Sequence, residues 1–302
     1  MTPADTKTHK LITLAKHDPF YAKIISVMEE YGYHVKHRYF GQNGAYIPAT
    51  IHVAKECVVE DEVTKQHAQG NLQANFSFSS RFGGAQIAHY WLHELMHFWQ
   101  DLHGLFLKPL IQKDSLPVML DAPSHITVTC LCEAMAETES LRASWRLKET
   151  GYPIAWQGAL SSLDWGKHAR AYANDLQTMP EPEAARRAFD RWYTSTQRPY
   201  YEKRALHAYQ STINELNITD PVAMHAQLRR VDLDALIQTL PPAERPDYLP
   251  NKSLNDSLFT AIRHPQTAKQ VQELENLLGV CSNPDFKDIR SGSTARVWKL
   301  SQ

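Results

Sequence analysis

Apolar residues near the N-terminus recur at helical spacing, with Leu11, Ile12 and Leu14 followed by Ile24, Ile25 and Met28. That period puts them on one face of a helix. Pro19 interrupts it, because proline lacks an amide hydrogen and its ring clashes with the preceding turn. Helix is therefore expected over residues 1–31, broken near Pro19. From Tyr31 to about Ser80 the pattern changes. Val35, Tyr39, Ile47, Ile51 and Val53 stand among Gly and Pro breaks, and Asn75-Phe76-Ser77-Phe78-Ser79 alternates with period two, both strand signals. Gly83-Gly84 closes that region, and a helix is expected from about Ala85 to Leu102, ended by Gly104.

Past a loop holding Pro109, Pro117 and Pro123, a second long helix is expected from about Ser124 to Thr150, stopped by Gly151 and Pro153. The remaining chain reads as nearly all helix, with candidates at 154–178, 181–196, 199–217, 222–240 and 265–280 set apart by prolines. A terminal strand is expected around Arg296-Val297-Trp298-Lys299-Leu300, and no internal repeat of fixed period is visible. The fold class expected is α+β and mostly helical. A small β-sheet and two long helices occupy residues 1–150, and an all-helical part occupies 151–302. The two parts either hinge near 151–180 or form one compact unit.

Composition narrows the partners. With 302 residues, 43% hydrophobic and 22% charged, the chain can bury a sizeable core. A formal net charge of −1 gives no bulk attraction to nucleic acid or to an anionic membrane, so neither is expected as a partner. Four cysteines in a chain this long do not make a disulfide framework. Neither a secretory h-region nor a run of about 18 apolar residues is present. The expected location is the cytoplasm, or delivery by a route that needs no conventional signal.

Chemistry enters at His93-Glu94-Leu95-Met96-His97. Residues four apart on an α-helix are offset by only about 40°, so both imidazoles project from one face. They can share one ion at about 2.0–2.1 Å. Glu94 is rotated about 100° from His93, so it stands beside the open coordination position as a general base rather than as a third ligand. The flanking Tyr90, Trp91, Leu92, Phe98 and Trp99 imply a buried helix, where such polar groups are costly without partners. The motif by itself is only moderately specific in a chain with 15 histidines.

A catalytic zinc ion takes three protein ligands, and three residues compete for the third place. His103 has the spacing of the long metzincin pattern, but that pattern needs Gly where this chain has Gln100. On a continuing helix His103 points about 240° away from His97. His125 lies near the start of the next helix. Glu133 is preferred, in Cys132-Glu133-Ala134-Met135-Ala136-Glu137, because the small alanines allow close packing against the histidine helix. Glu137, one turn on, is placed to accept the free N–H of a ligand histidine. Glu139 is the position where a solvated acidic face still fits.

The series His93-Glu94-x-x-His97-x-Trp99-Gln100, then Glu133-Ala134-x-Ala136-Glu137, resembles a bacterial metallopeptidase family with an HExxHxWQ core. The likeness runs through Trp145, Ala155-Trp156, Ala171-Tyr172, Arg187-Ala188-Phe189-Asp190-x-Trp192-Tyr193 and Tyr201-Glu202, over about residues 80–210. In ligand logic it is similar to the gluzincins: two His from the motif, then a Glu with an acid four residues later. The resemblance implies a zincin-like core, a Zn2+ cofactor and a peptide or protein substrate. It brings no substrate identity.

An oxyanion donor remains to be found, usually His, Tyr or Arg. Arg198-Pro199-Tyr200-Tyr201-Glu202 offers suitable types, and Tyr201 is the candidate. His89, one turn before His93 on the same stripe, reads as a surface or capping position, with lining of the cleft as the alternative. Cys130 and Cys132 read as small core residues, since thiols two apart on a helix diverge. The stretch from Arg186 to Arg204 interleaves acids with its arginines and reads as a solvated helical face. In the last helix, Val271, Leu274, Leu277 and Leu278 form a stripe that docks onto the domain. The reading is a zinc peptidase with Glu94 as base. Its rivals are a catalytically inactive zincin-fold binding protein and a zinc hydrolase of a non-peptide amide or ester.

Overall fold

The computed structural model describes residues 3–31, 33–38, 44–47, 74–79, 83–105, 119–163, 165–215, 228–249 and 253–277. Most of these residues are helical. They fall into two compact units that interleave along the sequence, the first drawn from 1–50, 67–101 and 133–192, the second from the rest.

The first unit opens with α1 (Pro3–Lys16) and α2 (Pro19–Tyr31). The proline between them ends one helix and begins the next, as a first-turn position tolerates it. Leu11, Ile12, Tyr21, Ile24, Ile25 and Met28 are buried. Strands β1 (Tyr33–Arg38), β2 (Gly44–Ile47) and β3 (Ala74–Ser79) form a sheet in the order β1-β3-β2. β1 runs parallel to β3, with Tyr33 opposite Ala74, and β2 antiparallel to it, with Gly44 opposite Phe78.

Helix α3 (Gly84–Leu102) follows, with every residue from Ile87 to Leu102 buried. Burial all round marks a central helix. Gly104 terminates it with φ 68°, a left-handed position that glycine adopts without steric cost. Helix α4 (Ala122–Glu149) contributes its residues from Glu133 onward to this unit and ends at Gly151 with φ 94°. Next come α5 (Ile154–Ser161), α6 (Gly166–Asp175) and α7 (Glu181–Thr194). A Cβ on Gly158 of α5 would sit 1.9 Å from the Ala85 carbonyl oxygen, so only glycine lets α5 cross the start of α3 this closely. Buried charges fix α4: Arg146 donates to Asp18 at 2.7 Å and to Glu139 at 2.8 Å, and Arg142 donates to Glu139 at 3.2 Å and Glu181 at 2.5 Å.

In the second unit β4 (Met119–Leu120) pairs in parallel with β5 (Leu228–Arg229). Asp121 then caps α4 by accepting from Ser124 N at 2.9 Å. That cap places the helix start two residues before the expected Ser124, at Ala122. The rest of the unit is α8 (Gln197–Glu215), α9 (Leu233–Gln238), a single 3₁₀ turn at Pro242–Glu244, α10 (Ser257–Thr260) and α11 (Pro265–Leu277). Tyr209 of α8 donates to the Leu120 carbonyl at 2.9 Å.

Several expectations need correction. The helix expected over 154–178 is two helices, because Ser162 turns to extended backbone (ψ 133°) and its hydroxyl accepts from Trp165 N at 3.2 Å. Of the helix expected over 222–240, residues 222–227 lie outside the described residues, and within 228–240 it is limited to Leu233–Gln238, with Asp232 accepting from Ala235 N at its start and β5 ahead of it. On the last helix Val271 is buried but Leu277 is 68% exposed. Ile51, Val53 and the terminal strand at 296–300 lie outside the described residues, as does Leu278. Among the described residues, no helix is long and apolar enough to cross a membrane.

Candidate metal centre

Helix α3 carries His93, Glu94 and His97 within the first unit, at 5%, 6% and 7% exposure. Its helical spacing turns both imidazoles the same way, with ring centroids 4.7 Å apart and planes at 87°. The two Nε2 atoms lie 3.1 Å apart. Glu133 of α4 brings Oε2 to 3.4 Å from His93 Nε2 and 3.6 Å from His97 Nε2.

Those three separations carry the chemistry. An ion with tetrahedral ligands at about 2.0–2.1 Å holds any two of them about 3.3–3.4 Å apart. The donor triangle of 3.1, 3.4 and 3.6 Å has that size. Glu133 Oε2 is buried without a hydrogen-bond partner, an expensive state for a carboxylate oxygen unless a cation shares it. Two imidazoles and one carboxylate are a donor combination that catalytic zinc sites use. Among the described residues, His93, His97 and Glu133 are the group of three metal-type donors that converges on one point.

The electrostatics agree with a cation-binding cluster. Burial raises Glu133, but the two facing histidines outweigh it and hold its carboxyl well below the usual carboxylate range. Burial likewise depresses His97, yet Glu133, Glu94 and Gln100 together push it up to about 9. Glu94 thus lies near enough for its charge to act on His97. Glu137 is 1% exposed and sets an oxygen 3.9 Å from His93 Nδ1.

The other expected site residues belong to the second unit, His103 and His125 among them. His103 Nε2 pairs with Glu244 at 2.5 Å, and the His125 ring faces Tyr209 at 5.4 Å. Tyr201 also belongs to the second unit, half-buried, with its ring edge-on to Tyr200 at 5.3 Å. Three readings are overturned by burial. His89 is no surface residue: it is 1% exposed, with Nδ1 3.2 Å from Ser144 Oγ, and burial aided by His93 pushes it down to about 3. Glu139 is buried against Arg142 and Arg146, and burial raises its carboxyl despite them. Arg198 and Glu202 leave the supposed solvated face for the core. Cys130 and Cys132 are buried as expected.

Two neighbours were missed. Gln100 sets Oε1 2.8 Å from His97 Nδ1, although the sequence pattern showed it only as the residue in place of a glycine turn and as part of the HExxHxWQ likeness. Trp165, on the break between α5 and α6, stacks on His93 with centroids 6.2 Å apart and 28° between planes. Only the spacing of Gln100, three residues past His97 on one helix, was a usable signal.

Comparison with known proteins yields one match. The family model described as "Putative metallopeptidase family (DUF6782)" covers residues 48–226, more than half of the chain and all of His93 to Glu137. No curated protein and no solved structure matches.

Proposed function

The chain belongs to that metallopeptidase family, and on this premise we propose that it hydrolyses peptide bonds at a zinc ion held by His93, His97 and Glu133 within a zincin-like core. The observation that carries the reading is the donor triangle with sides of 3.1, 3.4 and 3.6 Å. Zinc, when bound, supplies Lewis acidity to a carbonyl and acidifies water at the fourth position.

The residues do the remainder. Glu94 neighbours His93 in sequence but leaves the helix about 100° away, so its carboxylate stands outside the ligand set. There it accepts a proton from the attacking water and returns it to the departing amine nitrogen. Its 6% exposure keeps bulk water from competing for that proton. Glu137 faces His93 Nδ1 at 3.9 Å, beyond hydrogen-bond length, and its charge favours a proton on that nitrogen, which keeps Nε2 bare for the metal. Tyr201 is the oxyanion donor proposed on residue type alone. A peptide or protein is the substrate class, and its cleavage preference is left to experiment.

The test is Glu94→Gln in chain purified without chelator, read on a mixed peptide library by mass spectrometry. Zinc content should stay near that of the wild type while turnover falls by about 10²–10⁴-fold. Hydrolysis at the wild-type rate by this variant would remove Glu94 from its role. A wild type that binds zinc but cleaves only ester or non-peptide amide probes would redirect the substrate class.

A further inference from the structure

We propose that Gln100 is the positioning residue that selects the metal-binding tautomer of His97; this rests on the zinc reading above. Three facts carry it. Gln100 is 0% exposed, its Oε1 lies 2.8 Å from His97 Nδ1, and it sits three residues on along the same helix. A carbonyl oxygen can only accept, so His97 Nδ1 must donate, and in the neutral imidazole that a metal requires Nε2 is then the nitrogen that keeps its lone pair. Nε2 is the atom that faces His93 Nε2 at 3.1 Å and Glu133 Oε2 at 3.6 Å. The opposite amide orientation would place a donor against Nδ1, move the proton to Nε2, and block the ligand position.

The two histidines are therefore oriented by different chemistry. His93 faces a carboxylate from another helix, Glu137, at 3.9 Å. His97 is held at hydrogen-bond length by a neutral oxygen that travels on its own helix. Residues three apart on a helix are neighbours whatever packs around them, so this contact forms as α3 forms. Neutrality matters as well. A fourth buried carboxylate against a cluster that already includes Glu94, Glu133 and Glu137 would add repulsion and desolvation cost, which an amide avoids. The same Gln100 that removes the glycine turn of the long metzincin pattern thus supplies the bond that orients His97.

The experiment measures zinc affinity by competition with a chromophoric chelator for the full chain, Gln100→Leu and Gln100→Glu. It also records the imidazole Nδ1–H resonance of His97 in the nitrogen-15-labelled protein, with and without zinc. Gln100→Leu should weaken zinc binding about 10–100-fold and lose the slowly exchanging Nδ1 proton. Gln100→Glu, which keeps an acceptor, should retain that proton and bind zinc at least as tightly as the leucine variant's parent. Gln100→Met, closer in shape, carries the leucine expectation if leucine does not fold. Wild-type zinc affinity in the leucine or methionine variant would overturn the proposal, as would a wild-type His97 protonated at Nε2 alone. A wild type that takes up no zinc defeats the metallopeptidase reading instead, while slow exchange of the Nδ1 proton in the metal-free wild type, lost in the leucine variant, still decides the role of Gln100; equal exchange in the two would overturn it.

Discussion

Two buried polar clusters, one in each unit, solve the cost of burial in opposite ways. In the second, Arg198 and Glu202 are each 1% exposed and bonded to each other at 2.9 Å. Arg198 also donates to the carbonyls of Leu258, Phe259 and Ala261. Glu202 accepts from the backbone N–H groups of Arg263 and His264 at 2.7–2.9 Å. Every strong group there has a partner within the protein, so the cluster is complete as a structural clamp between α8 and the segment that follows α10. In the first unit, His93 Nδ1 and Glu133 Oε2 are buried without hydrogen-bond partners, and three donor atoms crowd to ion-ligand spacing. Complete satisfaction marks architecture. A convergent donor set that leaves a buried carboxylate oxygen, Glu133 Oε2, without a hydrogen-bond partner marks a binding site.

The largest effect that would break this comparison is in the clamp. Glu202→Gln leaves the Arg198 guanidinium buried without its counter-charge, which costs about 3–5 kcal/mol. Urea unfolding should show that loss with or without zinc. A cost under about 1 kcal/mol would mean that the carbonyl acceptors alone satisfy the arginine, and the contrast with the first unit would weaken.

The next effect sharpens the other side. An ion that binds the folded chain stabilises it by RT ln(1 + [L]/Kd), about 2.7 kcal/mol at a hundredfold excess over Kd. Melting temperature should rise with zinc and fall with chelator in the wild type and in Glu202→Gln alike. His97→Ala and Glu133→Ala should remove the response to zinc altogether. A zinc response that persisted in both would move the binding site away from this triangle.

How much of this was legible in the sequence follows from range. The spacing of His93 and His97 is fixed by one helix, so the pattern of residues suffices to place both imidazoles on a common face. The helices of the first unit were likewise visible, since Pro19, Gly104 and Gly151 punctuate them. The break between α5 and α6 was hidden because Ser162 terminates a helix with a side-chain bond instead of a Gly or Pro. Arg198 and Glu202 were misread for a stronger reason. A charged pair four apart looks the same on a solvated helix as in a core, and the carbonyls that accept from Arg198 come from 60 to 63 residues along the chain. His89 was misplaced in the same manner, its partner Ser144 being 55 residues away.

The smallest predicted effect concerns a third treatment of a buried polar group, by neutrality. His125 in the second unit faces the Tyr209 ring at 5.4 Å, and burial pushes it down to about 4 from the usual 6.5. The unfolded chain takes up a proton below about pH 6.5 that the folded chain refuses until about pH 4. Stability must therefore fall as pH drops through that window, because the proton is bound only by the unfolded state. The ideal slope is about 1.4 kcal/mol per pH unit, reduced to about 1 or less by the solvent contact that His125 keeps. His125→Gln, which cannot titrate, should flatten urea-unfolding stability between pH 6.5 and 4 by that amount. An unchanged pH slope would show that His125 is protonated within the folded protein. It would then join the paired groups of the clamp instead of standing apart as a neutral core residue.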